Sequence, residues 1–165
     1  MTSRSSLALI EDVNNKPGQH QVKNDAWAAH GIKVVRNKMP YGDYALAPAL
    51  VVDTKKNIME LAMNVKGDHE RFRNAAIKAM ECGSHMVIVV ENEDGITSLD
   101  DLKRWDEPTS SYRMRLAKNS RAKRYEGVTL AQACRTMEER YGLEFDFCTP
   151  EDAWSVVMRH LGVIV

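Results

Sequence analysis

Hydrophobic and polar residues follow each other along this chain with two different periods, one typical of helices and one typical of strands. Phe72, Ala76 and Met80 recur at the spacing of one helix face. They predict an amphipathic helix over Glu70–Glu81. The run Met86–Val90 is apolar throughout, which is typical of a strand covered on both faces. A strand before this helix and a strand after it predict a right-handed β-α-β crossover.

The N-terminal half contains four further segments separated by turn residues. They predict a strand over Ser6–Ile10 and a helix over Gln19–His30. A second strand is predicted over Ile32–Val35, and a strand or hairpin arm over Tyr44–Thr54. In this helix, Val22, Ala26 and Ala29 lie on one stripe, which makes the helix amphipathic. Pro48 favours a bend or a sheet edge near the start of the last segment.

The C-terminal half predicts a short helix over Ser98–Trp105 and a longer helix over Thr129–Tyr141. A strand over Leu143–Cys148 and a last helix over Pro150–Leu161 follow. Ser98 is the expected N-cap of the first of these, with Asp101 three residues later. Thr149 is the expected N-cap of the last helix, with Pro150 at its first position. The order of elements predicts an α/β fold in which helices flank a mixed β-sheet.

Composition places the chain among ordinary folded proteins. With 165 residues, 44% hydrophobic and 28% charged, we expect one domain over residues 1–165. No apolar stretch approaches the ~20 residues that span a bilayer, and the N-terminus does not resemble a secretory signal. Cys82, Cys134 and Cys148 lack the spacing of a zinc site and are expected to be reduced. These features favour an intracellular protein.

The motif Asp53-Thr54-Lys55 follows the apolar run 49–52 and carries the most informative chemistry. Alternate residues of a strand share a face, so Asp53 and Lys55 point the same way. Asp43 is expected to reach them from the adjoining turn or strand. Two carboxylates and a strand carbonyl suit Mg²⁺, which polarises a phosphoryl oxygen and lowers the pKa of bound water. The motif therefore predicts metal-dependent cleavage of a phosphodiester.

Both the motif and its lysine have more than one interpretation. Lys55 can orient the attacking water, or can help to deprotonate it if its own pKa is depressed. A three-residue pattern of this kind also arises by chance, as a solvated ion pair on an exposed strand edge. The surrounding fold decides between these interpretations.

Charge is unevenly distributed although the formal net charge is zero. The segment 106–127 has little periodicity, and we expect an ordered DNA-facing loop, a basic helix or a partly disordered stretch. Within this segment, the stretch 113–124 contains no acid and six basic residues, namely Arg113, Arg115, Lys118, Arg121, Lys123 and Arg124. Such a stretch is either a solvated surface or a set of phosphate contacts, whose affinity falls as salt rises. Beside a phosphodiesterase site, it predicts contact with DNA.

The motif residues in their order along the chain resemble those of a known nuclease family. The matching residues are Asp12, Gly42-Asp43 and Asp53-Thr54-Lys55. They resemble the PD-(D/E)xK nuclease superfamily, and specifically the nuclease domain of XPF-type endonucleases and its small phage and prophage relatives. The resemblance to the phage proteins also rests on the flanking segments Glu11–Asp12, Lys16–His20, Thr136–Gly142 and Glu144–Glu151.

This resemblance implies a restriction-endonuclease-like fold and an endonuclease that uses Mg²⁺ or Mn²⁺ on duplex, branched or nicked DNA. It assigns Asp43 and Asp53 to the metal and Lys55 to the water and the scissile phosphate. Asp12 or Glu11 is then a ligand of a second metal or an outer-shell residue. The resemblance further implies the cytoplasm of a bacterial or phage-infected cell, a role in recombination or repair, and a homodimer.

The chain departs from the XPF-type signature at two places. Asp53 and Thr54 stand where the signature has Glu and Arg, and Met59 stands where it has an acid four residues after the lysine. Glu60, one residue further, is either an outer ligand or an exposed helix residue. An Asp in place of Glu still supplies carboxylate oxygens to a metal, but its side chain is one methylene shorter. The departures therefore affect how the substrate is positioned rather than whether the chemistry is available.

A rival hypothesis is a binding or scaffolding module that has kept the fold and lost cleavage. The joint presence of Asp43, Asp53 and Lys55 favours the enzyme, because a binding module does not need two repelling acids beside a polyanion. RNA cleavage is a third hypothesis. Roles at the site for His20 and Arg73 are left open.

Overall fold

A mixed β-sheet with helices on both faces forms the core of the computed structural model, which describes residues 8–47, 50–67, 69–81 and 84–164. The strands are β1 (Ala8–Asp12), β2 (Lys33–Asn37), β3 (Tyr44–Ala47), β4 (Leu50–Lys55), β5 (His85–Glu91) and β6 (Glu144–Cys148). The helices are α1 (Gln21–Ala29), α2 (Ile58–Ala62), α3 (His69–Glu81), α4 (Leu99–Leu102), α5 (Thr109–Lys118), α6 (Gly127–Tyr141) and α7 (Ala153–His160). A π-helical turn, Met63–Gly67, follows α2.

The order of strands across the sheet is β2-β1-β3-β4-β5-β6. Neighbouring strands are parallel except where β3 pairs with β1 and with β4. The segment predicted as a strand or hairpin arm is therefore an antiparallel hairpin of β3 and β4. Because β4 and β5 are parallel neighbours separated by α2 and α3, the predicted strand-helix-strand unit is confirmed.

Strand alternation divides the core into two layers. Val51 of β4 belongs to a cluster with residues of α2, α3 and α6, whereas Val52 belongs to a cluster with residues of α1 and α7. All of Met86–Val90 is buried, as expected of a strand covered on both faces. The predicted α/β fold, a mixed sheet flanked by helices, is confirmed.

The buried face of α1 differs from the predicted stripe. Val22 is 60% exposed and Ala29 is exposed as well, whereas Lys23 and Trp27 are buried. Trp27 packs edge to face on Tyr44, with ring centroids 5.0 Å apart. The predicted stripe was wrong because Lys23 and Trp27, rather than Val22 and Ala29, face the interior, where the Lys23 ammonium group pairs with Glu91 of β5.

Two helix boundaries show how caps decide where a helix starts. The Ser98 Oγ accepts the Asp101 N–H at 3.1 Å, which confirms the predicted cap of α4. The last helix starts at Ala153 rather than at Pro150. Thr149 donates from its hydroxyl to the Asp152 carboxylate at 2.9 Å, so these two residues form a turn before the helix instead of its first turn.

The segment 106–127 contains α5, so the basic helix is the correct alternative for its central part. No residue of α5 is buried, and Met114 and Leu116 of this helix are 63% and 37% exposed. The helix is therefore held by polar contacts at its edges rather than by an apolar face. These contacts are described below with the basic residues.

Some sequence predictions lie outside the described residues, namely Ser6 and Leu7 of the first strand, the bend at Pro48, and Cys82 and Gly83 at the end of α3. The described remainder of α3 buries Phe72 and Ala76, but Met80 is 48% exposed. Cys134 and Cys148 are free thiols. Among the helices in the described ranges, none is both long enough and apolar enough to cross a membrane.

Candidate active site

Three aspartates form a row across neighbouring strands at one end of the sheet. β3 pairs with β1 on one side and with β4 on the other, and the last paired residues are Glu11, Tyr44 and Val52. One residue further along the same register, Asp12, Asp43 and Asp53 lie side by side. Backbone bonds hold this row, since the Asp12 N–H donates to the Asp43 carbonyl at 2.8 Å and the Asp43 N–H donates to the Val52 carbonyl at 3.0 Å. The sheet thus brings together three of the four acids that the sequence predicted for the site.

Gly42 determines how Asp43 enters the sheet. Its φ of +76° lies in the left-handed region, and a Cβ atom there would lie 2.2 Å from Val51 Cγ1. Only glycine fits both the backbone angle and the close approach to β4. The Gly-Asp pair is therefore a structural requirement for bringing the Asp43 carboxylate against β4.

The Asp43 carboxylate is held by β4 and lies against a second acid. Its Oδ2 accepts the Thr54 N–H at 2.7 Å and the Thr54 hydroxyl at 3.1 Å. Burial raises the pKa of Asp43 well above its usual value, and the charge of Asp53 and a hydrogen bond between the two carboxyl groups raise it further. Two acids in this relation are stabilised by a proton or a cation between them.

Asp53 and Lys55 share a face, as predicted, and form an ion pair. Lys55 Nζ donates to Asp53 Oδ1 at 2.9 Å, and both side chains are buried. Burial alone would lower the pKa of the Lys55 ammonium, but the charges of Asp53 and Asp43 outweigh this effect and raise it. Lys55 therefore stays positively charged here, which favours orientation of water and phosphate over proton abstraction.

An open cleft of about 830 Å³ exposes this group of residues. It is lined by the three aspartates and Lys55, and by residues that the motif did not identify, among them Asn15, Lys16, Gln19, Asn64 and Arg71. The Asn-Asn-Lys-Pro-Gly turn directly after the acidic strand was the available signal for the first of these. The polar turn and the row of acids together form a surface with both signs of charge.

Several residues with open or alternative roles are now located. Asp12 lines the cleft, whereas Glu11 points to the opposite face of the sheet, where it pairs with Arg36 at 3.9 Å. Glu60 lines the cleft and accepts the Lys56 N–H at 2.9 Å. Arg73 is not among the residues that line the cleft.

His20 and Glu91 belong to the opposite face as well. His20 is buried beside the Tyr44 ring, and burial together with the charge of Lys23 lowers its pKa to about 4. Glu91 pairs with Lys23 of α1 in the interior. The alternation of β5 was the signal for this, because Glu91 has the parity of Val87 rather than that of Ile88.

The carboxylates of the cleft suit a hard cation but do not by themselves form a complete coordination shell. In the described part of the chain, no group of three or more His, Cys, Asp or Glu side chains has the arrangement of a metal site. Asp43 and Asp53 lie side by side on neighbouring strands, and Asp12 lies in the same cleft. A few carboxylates with waters are what Mg²⁺ commonly takes in proteins, so these residues fit the ion.

Two of the six basic residues in segment 106–127 have partners within the fold. Arg115 binds the fully buried Glu107 through Nε at 2.7 Å and Nη2 at 2.6 Å, and stacks on Tyr125 at 3.9 Å. Arg124 donates to the Glu107 carbonyl at 2.8 and 2.6 Å. The remaining four side chains are exposed: Arg113, Lys118, Arg121 and Lys123.

Comparison with known proteins gives a match in structure but none in sequence. No family model matches the chain, and no curated protein matches it. The fold is similar to XPF from Aeropyrum pernix, with a TM-score of 0.62 and 17% identity over 93% of this chain and 63% of that chain. The structure of that XPF in complex with DNA gives the same TM-score and identity over 94% and 63%. The likeness establishes an XPF-like fold, and the chain spans about 63% of the length of those structures.

Proposed function

We propose that this protein is a metal-dependent DNA endonuclease that hydrolyses phosphodiester bonds. The observation that carries the proposal is the placement of Asp43 and Asp53 side by side on neighbouring strands, with Lys55 paired to Asp53 in the same open cleft. This arrangement holds two repelling acids where a chain without such chemistry would gain stability from replacing one of them.

The roles of the side chains follow from their contacts. Asp43 and Asp53 would hold Mg²⁺ or Mn²⁺, and such an ion supplies charge neutralisation at the phosphate and a more acidic water. Thr54 fixes one oxygen of Asp43, which leaves the other oxygen for a ligand. Lys55 binds a non-bridging oxygen of the scissile phosphate or orients the water, and Asp12 acts through water from the edge of the cleft.

Support for DNA as substrate comes from the surface and from the fold. The exposed cations of segment 106–127 offer phosphate contacts, and the fold is similar to that of an XPF whose structure contains DNA. We propose duplex DNA with a branch or a nick as the preferred substrate, in recombination or repair. A homodimer in the cytoplasm of a bacterial or phage-infected cell is part of the same proposal.

A DNA-binding or scaffolding module without cleavage activity is the second candidate. It is favoured by the closed ion pair between Asp53 and Lys55, which occupies a carboxylate oxygen that a metal would need. The two candidates differ in one property, since only the enzyme changes the covalent structure of DNA.

The test is a cleavage assay on labelled single-stranded, duplex, nicked and forked DNA, with Mg²⁺, Mn²⁺ or EDTA. The wild type is compared with Asp53→Asn and with Asp94→Asn, which removes the same charge from an exposed residue. We expect cleavage by the wild type and by Asp94→Asn that EDTA abolishes, and none by Asp53→Asn. Binding of DNA without cleavage by any protein would favour the scaffolding module.

A further inference from the structure

A second groove lies beside the candidate active site. It has a volume of about 680 Å³ and is formed by the Met63–Gly67 turn, the chain after α5 and the start of α6. Its lining includes Lys66, Tyr112, Lys123, Arg124 and Thr129. The groove is therefore rich in positive charge and in hydrogen-bond donors.

The Met63–Gly67 turn connects this groove to the catalytic cleft. Asn64 lines the cleft, and Lys66, two residues later in the same turn, lines the groove. The turn packs against α6, and a Cβ atom on Gly67 would lie 3.2 Å from the Tyr125 hydroxyl oxygen. A polymer that leaves the cleft over this turn thus enters the groove directly.

The groove is lined by one acid, Glu126, and by four cations, which are of two kinds. Arg115 and Arg124 are fixed by Glu107, whereas Lys66 and Lys123 are exposed. Within the described residues, neither lysine forms an ion pair with a carboxylate. These two ammonium groups are free to bind an anion.

The cations beyond Lys66 already have an acidic partner. Lys103 and Arg135 line the next depression, but both bind the Asp100 carboxylate, at 2.8 and 2.5 Å. The single carboxylate of Asp100 compensates one of these two positive charges. The path for an anionic polymer therefore runs from the cleft to Lys66 and Lys123.

The walls of the groove are held rigidly by a buried acid. Glu107 donates its backbone N–H to the Tyr125 carbonyl at 3.0 Å, and its carboxylate accepts the Tyr125 N–H at 3.1 Å. The guanidinium of Arg115 covers one face of the Tyr125 ring. A base cannot stack on the covered face, so the groove suits the sugar-phosphate backbone better than exposed bases.

We infer that this groove binds the phosphodiester backbone of the DNA arm that extends from the scissile bond, with Lys66 and Lys123 as the phosphate contacts. The inference rests on the proposed function, because it gives the groove the same substrate as the cleft. It differs from the sequence-based prediction in that Lys66, outside the basic segment, is a contact, while Arg115 and Arg124 hold the wall.

The test uses the double variant Lys66→Gln, Lys123→Gln and measures DNA affinity against salt concentration in EDTA, where no cleavage takes place. Each phosphate contact contributes about 0.9 to the slope for duplex DNA and about 0.7 for a single strand. For a long duplex, we expect the plot of log affinity against log salt concentration to be less steep by about 1.8 in the variant. When the salt concentration rises fourfold, the factor by which affinity falls should therefore be about 12 times smaller for the variant than for the wild type.

The matched control is the double variant Lys78→Gln, Arg140→Gln, which removes two exposed charges from the surfaces of α3 and α6. An equal change of slope in this control, or an unchanged slope in the groove variant, would overturn the inference. Absence of DNA binding by the wild type would overturn it too. If the wild type fails to cleave in Mg²⁺ while the groove variant still shows the reduced slope, the nuclease proposal fails and the groove assignment stands.

Discussion

At the scale of single residues, the site combines a strict backbone requirement with opposing charges. Gly42 allows Asp43 to reach Asp53, and Lys55 compensates part of the resulting repulsion. The short motif in the sequence was enough to predict Asp43, Asp53 and Lys55 as neighbours. It could not predict the charge state of Lys55, because this depends on burial and on a carboxyl group from another strand.

Replacement of Lys55 by glutamine is expected to reduce the cleavage rate on the order of 100-fold, because the phosphate loses a buried positive contact worth several kcal/mol. DNA affinity at constant salt should change only a few-fold, since the exposed cations remain. Single-turnover cleavage and fluorescence anisotropy measure the two effects. Lys78→Gln is the control, and an equal rate loss there would remove the special role of Lys55.

Gly42→Ala is expected to destabilise the fold by about 2–4 kcal/mol, because the added methyl group meets β4 and the left-handed backbone is strained. Gly18→Ala separates the two causes, since Gly18 also has a positive φ, +81°, but has nothing within 4 Å of an added Cβ atom. We expect a cost of about 1–2 kcal/mol for that control. Urea unfolding gives both values, and equal costs would contradict the steric argument.

At the scale of elements, α5 is a helix that hydrophobic periodicity could not predict. The strand Met86–Val90 and the helix α6 were predicted well because their apolar residues follow the period of the element. α5 lacks such a period because it has no buried residues. Its anchor is Glu107, which lies before the helix and meets Arg115 and Arg124 only in the folded chain. Lys23 in α1 is a similar case, since its partner is far away in sequence.

Glu107→Gln is expected to lower the free energy of unfolding at neutral pH by about 1–3 kcal/mol, because the ionic bonds from Arg115 become weaker. The hydrogen bond from Arg115 lowers the pKa of Glu107. The ionised form therefore stabilises the fold above the unfolded pKa of about 4.3, and this contribution is lost as pH falls further.

The difference between wild type and Glu107→Gln should thus be constant near neutral pH and shrink below about pH 4. Urea unfolding at several pH values measures it. Asp100→Asn is the control, because solvent screens the pairs of this exposed acid with Lys103 and Arg135, so their loss should change stability little. A difference that grows on acidification would contradict the assignment of the Glu107 charge.

At the scale of the whole molecule, the Met63–Gly67 turn separates the acidic cleft from the cationic groove on neighbouring surfaces. The order of elements predicted the mixed α/β sheet, since each crossover was visible as a strand, a helix and a strand. The groove could not be predicted, because Lys66 and Lys123 are distant in sequence and meet only through the packing of the Met63–Gly67 turn against α6. The homodimer stays a prediction that light scattering of the purified protein can test.

Mg²⁺ or Mn²⁺ is expected to stabilise the folded protein, because an ion that binds only the native state shifts the unfolding equilibrium by mass action. At about 100 times the dissociation constant, the gain is about 2.7 kcal/mol. Thermal unfolding of the wild type and of Asp53→Asn measures this effect without any DNA. The melting temperature should rise with metal for the wild type only, and an equal rise for Asp53→Asn would place the ion elsewhere.

The most direct test of the central claim is the single-turnover rate of forked-duplex cleavage by the wild type and by Asp43→Asn in Mg²⁺. The variant keeps the shape of the side chain and removes one of the two neighbouring acids. The proposed site predicts Mg²⁺-dependent cleavage by the wild type and a rate lower by about 100-fold or more in the variant. Equal rates for the two proteins, or no cleavage by the wild type on any DNA in either metal, would contradict it.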